Sequence, residues 1–173
     1  PMGVAFAPDS RTVVIADYLL DALHVVDVPE ARLVNSIRLG GPVEPSLARR
    51  GEAIFYDANR SHGHWFSCHT CHVDGHTNGL TFDTLNDDSY GNPKLTPTLR
   101  GVTKTRPWTW HGWQKNLTAA MTKSLTSTMY GPEPTPGDAK ALIAFLESLE
   151  HPPNPNRLPD GSLSEAARRG ESV

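Results

Sequence analysis

The chain has 173 residues, 38% of them hydrophobic and 20% charged, with a formal charge of −3. That length suits one domain or a little more, and that charge leaves no basic footprint for nucleic acid. No apolar run approaches the ~18 residues that would suggest a membrane span.

Residues 1–39 carry the first predicted elements. "TVVIAD" (Thr12–Asp17), "LHVVDV" (Leu23–Val28) and "LVNSIRL" (Leu33–Leu39) are short β-branched runs separated by turn formers. They read as an antiparallel meander. "APDSRT" supplies a turn before the first run, through Pro8 and Asp9. Such a unit cannot bury both faces by itself, so it is expected to belong to an array. The stretch "GVAFAPDSRTVVIADYLLDALHVVDV" resembles a blade of a YVTN-type β-propeller, and the resemblance implies a blade remnant.

Residues 40–45 read as a linker. The helical pattern that follows places Leu47, Gly51, Ile54 and Phe55 on one face. The chain then turns loop-rich through Arg106, a second helix is predicted from Leu117 to Met129, and "GPEPTP" breaks it. Thr135 suits an N-cap and Pro136 a first helical position. The third helix, "GDAKALIAFLESLE", has the clearest stripe: Ala139, Leu142, Ile143, Leu146 and Leu149. "LARRGEAIF" (Leu47–Phe55) is echoed by "AARRGESV" (Ala166–Val173). The sequence therefore reads as a piece of a longer protein, with its main domain at 46–160 and the start of a second, truncated repeat of that domain at 161–173.

Function hangs on "SCHTCHVDGHT" (Ser67–Thr77), which holds both cysteines. A disulfide across so short a ring adds little loop entropy and leaves His72 unused. A redox dithiol wants a strand–helix junction inside a βαβ unit, which is missing here. Zinc could use Cys68, Cys71, His72 and one of His62, His64, His69 or His76, but structural zinc sites pair ligand couples from separate segments. C-x-x-C-H is the spacing of c-type haem attachment, with thioethers at Cys68 and Cys71 and the iron on His72. One covalent haem c is thus the expected cofactor, with Trp65, Phe66, Trp108, Trp110 and Trp113 as candidate walls. Met129, Met121 and His111 are candidate second iron ligands. Met129 is preferred because it stands at a helix end, before "YGPEPTP".

"KLTPTLRGVTKTRPWTWHGW" and the final "ALIAFLESL" resemble the di-haem cytochrome c peroxidase and methylamine-utilisation family. The resemblance implies a mainly α, cytochrome c-like helical haem domain behind the β-meander. It implies Arg100 and His111 near the haem propionates and Pro97 and Leu99 against the porphyrin. It also implies a bacterial periplasmic or cell-surface location. With Met129 on the iron, the expected function is electron transfer within a propeller–di-haem protein, toward a redox partner or an adjacent second haem domain. A peroxidase-like catalytic domain and a zinc-stabilised binding module are the alternatives.

Overall fold

The structure, a computed structural model, describes residues 3–41, 44–84 and 87–171. Part of the expected linker (Pro42, Val43) and the last two residues of the expected second repeat (Ser172, Val173) lie outside those ranges.

Four strands open the chain: β1 (Gly3–Phe6), β2 (Thr12–Asp17), β3 (Ala22–Asp27) and β4 (Arg32–Arg38). They pair antiparallel in sequence order, with Val13 opposite Val26 and a bulge at Val25/Val26. One device makes all three turns. The Asp9 carboxylate accepts from the Arg11 and Thr12 N–H groups, both at 2.9 Å. Asp17 accepts from Leu19 and Leu20 at 3.1 Å, and Asp27 from Glu30 at 3.1 Å. An aspartate that bonds the backbone ahead of it closes a turn without help from tertiary contacts. Burial is slight: only Val13 and Ala22 are buried, and β1 and β4 are exposed along their length.

The second region is built around two crossing helices, α1 (Leu47–Tyr56) and α4 (Pro136–Ser148). Ser46 caps α1 by accepting from the Arg49 N–H at 3.1 Å. Thr135 and Asp138 form a reciprocal capping box at the start of α4, with Pro136 in its first turn. The helices cross so closely that a Cβ on Gly51 would lie 1.9 Å from the Ala141 carbonyl oxygen. Phe55 and Phe145 meet at 5.1 Å between centroids, inside a core that also holds Ile54, Met121, Leu125, Met129, Leu142 and Leu146. Arg60 reaches Asp138 at 3.0 Å and ties the loop after α1 to the cap of α4.

Between these helices regular structure is sparse. α2 (Cys68–Cys71) is a single turn, and β5 (Thr81–Phe82) pairs with β6 (Lys94–Leu95) over two residues each. α3 (Leu117–Lys123) stops short of the expected Met129 and passes into a π-helical turn at Ser124–Thr128. A short α5 (Glu165–Glu171) follows the proline-rich stretch. Among the described residues, no helix is long and apolar enough to cross a membrane.

The architecture corrects the expected mainly α cytochrome fold. Among the described residues, helical ones make up 35% and strands 18%, the latter dominated by the four-stranded antiparallel sheet. The reason is local. Pro93, Pro97 and Pro107, and left-handed glycines at 75, 79, 91, 101 and 112, interrupt every helical run between Cys71 and Asn116.

Candidate functional site

The single turn of α2 is set by its own polar residues. The Ser67 N–H donates to Thr70 Oγ1 at 3.0 Å, and the His72 N–H closes the turn on the Cys68 carbonyl at 2.9 Å. Two cysteines three residues apart on one turn face the same side, and the next residue begins to leave the helix. Both are free thiols.

His72 is held in one tautomer by its surroundings. Its Nδ1 lies 2.9 Å from the Pro97 carbonyl oxygen. A carbonyl only accepts, so Nδ1 carries the hydrogen and Nε2 keeps its lone pair. Burial pushes the imidazole pKa down, which favours the neutral ring. A neutral imidazole with a bare Nε2 and an anchored Nδ1–H is the form that binds a metal.

The thiols are unlike. Cys68 packs against the helical core, with its Sγ 4.0 Å from Met129 Sδ. Burial pushes that thiol up to about 11 and also raises Cys71. Near neutral pH both are therefore protonated, as befits apolar surroundings rather than a redox dithiol. Met129 is 4% exposed; its carbonyl accepts from the His62 N–H at 2.8 Å. Met121, the other methionine considered, is also a core residue.

Cys68, His72, Pro97 and Met129 thus lie together. Leu99 joins them from the core side, its N–H on the Gly75 carbonyl at 3.0 Å, and Arg100 reaches the Asp74 carbonyl at 3.3 Å. Trp108 and His111 occupy a separate hairpin. The Trp108 indole donates to the Val102 carbonyl at 2.8 Å. His111 stacks on Trp113 at 4.3 Å and faces Asp87 at 3.5 Å. Neither Arg100 nor Met129 is among the contacts His111 makes there.

Three features escaped sequence reasoning: the His72–Pro97 bond, the sulfur contact, and the carboxylate of Asp87. The last accepts from Lys94 Nζ at 2.7 Å and Asn92 Nδ2 at 2.8 Å. Only the turn-rich "DDSYGNPK" could have hinted at it.

The donor set suits a covalently held haem: two thiols at the right spacing, an imidazole with Nε2 free, and a thioether at the same place. On the separate hairpin Trp110 is 59% exposed, and its indole reaches the Leu95 carbonyl, two residues before Pro97. By contrast, among the described residues no three His, Cys, Asp or Glu side chains converge to hold a metal ion. The zinc-stabilised module finds no support in that geometry.

No family model matches the chain. It is 33% identical over 144 residues to the hydrazine synthase subunit gamma of Kuenenia stuttgartiensis. The chain is similar to a synthase subunit. The alignment takes in 76% of this chain but 40% of that protein. A solved structure of Kuenenia stuttgartiensis hydrazine synthase, pressurised with 20 bar xenon, superposes with a TM-score of 0.67 at 27% identity. It covers 82% of this chain and 55% of the matched one.

These findings overturn the assignment to the di-haem cytochrome c peroxidase and methylamine-utilisation family. With it go the electron-transferring domain of a propeller–di-haem protein, the peroxidase-like alternative and the zinc-stabilised alternative. The segments that suggested that family, around Pro97–Arg100 and Trp108–Trp113, are mostly turns and carbonyl contacts. Such short loop patterns do not determine an activity.

Proposed function

We propose that this chain is a haem c-carrying part of a subunit of the hydrazine synthase gamma kind, which works in a multi-subunit assembly that forms hydrazine. The synthase and the assembly come from the relatives' names; the cofactor comes from the site. The observation that carries the cofactor is the His72 Nδ1–Pro97 carbonyl bond beside two free thiols at C-x-x-C spacing. Bound haem would supply a redox-active iron. Cys68 and Cys71 would hold it and His72 would offer it Nε2, in the tautomer that the bond of Nδ1 to the Pro97 carbonyl favours. Met129 is the candidate second ligand from the core side. Leu99 would offer the group apolar contact and Arg100 a cation for its carboxylates, while Trp108 and His111, on their separate hairpin, would be its more distant neighbours. Attachment of this kind belongs to an oxidising compartment outside the bacterial cytoplasm, so a periplasmic or cell-surface location is part of the proposal.

The test is maturation in a bacterial host that attaches haem c. Parent protein is expected to retain porphyrin after acid–acetone extraction and to give a pyridine haemochrome spectrum. Replacing both cysteines by serine is expected to abolish that retention. Parent protein that folds in such a host yet carries no covalent porphyrin would overturn the cofactor assignment.

A further inference from the structure

We propose that Asp87 is a positioning residue for His72, acting through Lys94 and the short segment Lys94–Pro97. That segment is gripped at each residue. Lys94 Nζ donates to Asp87 Oδ2 at 2.7 Å, and the Trp110 indole donates to the Leu95 carbonyl at 2.7 Å. The Thr96 N–H donates to Leu80 at 3.1 Å, and Thr77 Oγ1 donates to the Thr96 carbonyl at 2.7 Å. The Pro97 carbonyl then receives His72 Nδ1. Lys94 is the one member of this run held by an ion pair, and both partners are covered: its side chain is 14% exposed and that of Asp87 is 6% exposed.

Asp87 lies at the centre of a small loop. Its carboxylate accepts from Lys94, from Asn92 Nδ2 at 2.8 Å and from the Ser89 N–H at 3.3 Å, while His111 Nε2 stands 3.5 Å away. The Lys94 bond, aided by the others, holds the carboxyl far below the usual range, so it stays ionised. Neutralising it removes the charge that holds Lys94. Lys94 keeps its strand pairing with Phe82 and its Nζ bond to the Asn92 carbonyl at 2.8 Å. The head of the segment is thus loosened, not freed, and the Pro97 carbonyl three residues later is less tightly aimed. A carbonyl that wanders leaves the Nδ1–H of His72 open to water, and the ring free to turn.

The functional meaning rests on the haem-attachment reading, but the geometry is measurable without haem. The experiment is solvent exchange of the His72 Nδ1–H, followed by nitrogen-15 NMR in the haem-free 173-residue chain. Asp87→Asn is expected to speed that exchange about tenfold, by raising the population of the locally opened segment. Asp87→Glu is expected to restore part of the protection. Asp83→Asn is the control: Asp83 accepts from the Gly91 and Asn92 N–H groups in the same loop. It is expected to leave His72 unchanged. If Asp87→Asn does not fold, Lys94→Gln breaks the same ion pair from the other end and is expected to give the same acceleration.

Unchanged exchange in a folded Asp87→Asn or Lys94→Gln chain would sink the proposal, as would equal acceleration by Asp83→Asn. Haem attachment, assayed separately, does not decide it. Covalent haem with unchanged exchange leaves the cofactor reading standing and removes this one. Accelerated exchange in a chain that never takes up haem does the reverse.

Discussion

The sheet of Gly3–Arg38 and the helical body from Ser46 onward are stabilised in opposite ways. Each turn of the sheet is closed by an aspartate bonding N–H groups two or three residues ahead, and only Val13 and Ala22 are buried. The helical body depends on contacts between distant residues: Gly51 with Ala141, Phe55 with Phe145, Arg60 with Asp138, His72 with Pro97. Local bonds specify a conformation but do little to hold it, whereas distant apolar contacts make unfolding cooperative. The candidate site sits in the second region and should share its fate. The sheet is joined to that region chiefly by Arg49, which stacks over Tyr18 at 4.2 Å, donates to the Tyr18 carbonyl and pairs with Asp21 at 3.3 Å.

The largest effect that could break this contrast is expected from Phe55→Ala. Phe55 is 1% exposed and lies between Phe145 and Tyr56. Its truncation should cost about 3–5 kcal/mol. Denaturant unfolding followed by tryptophan fluorescence reads the helical region, because all four tryptophans lie there. Hydrogen exchange of β2 and β3 amides should change far less. Equal loss of protection in both regions would show that they fold as one unit.

Gly51→Ala is expected next. The added Cβ falls on the Ala141 carbonyl, and backbone cannot yield as a side-chain tip can. Overpacking of this kind costs about 1–3 kcal/mol. Gly170 occupies the matching place in "AARRGE", but a Cβ added there would meet nothing within 4 Å. Gly170→Ala should therefore be neutral or slightly stabilising, since alanine is the better helix former by about 1 kcal/mol. The pair of substitutions separates tertiary crowding from helix propensity.

The same division governs what could be read in advance. Strands β2, β3 and β4 were legible because β-branched runs between turn formers are local signals; β1, β5 and β6, short and without such runs, were not. Also legible was α4, whose cap residues Thr135 and Pro136 adjoin a stripe in which Ala139, Leu142 and Leu146 are buried. The π-helical turn before Met129 was not legible, since nothing in "KSLTST" departs from an ordinary helix. Part of the site was visible as C-x-x-C-H, a local pattern. Its supporting bonds were not: His72 and Pro97 are 25 residues apart, and Asp87 and Lys94 meet across turns. The mainly α fold was what the family resemblance implied, whereas the residues themselves already read as strands before Gly40 and as loop-rich from Asp57 to Arg106. The family resemblance failed because it rested on loop segments and on one amphipathic helix, "ALIAFLESL", patterns that recur in proteins of unlike activity.

The smallest expected effect sharpens the contrast through acid. Asp138 is partly buried, which raises its carboxyl pKa, but bonds from Arg60 and Thr135 outweigh burial and bring it below the ordinary value. Asp17 follows the same balance, with Leu20, His24 and Leu19 as its donors. A folded value below the unfolded one, about 3.9, means that the stabilisation is complete above that pH. It is lost as pH falls through the folded value. Thermal unfolding of the helical region should therefore weaken below about pH 4, and Asp138→Asn should flatten that dependence, at a cost of about 1 kcal/mol at neutral pH. Asp17→Asn should leave the helical transition untouched and change only amide exchange in the Asp17–Ala22 turn. If Asp17→Asn moves the helical transition as far as Asp138→Asn does, the sheet is not a locally specified appendage. The Arg49 contact would then be coupling the two regions more tightly than their sparse shared surface implies.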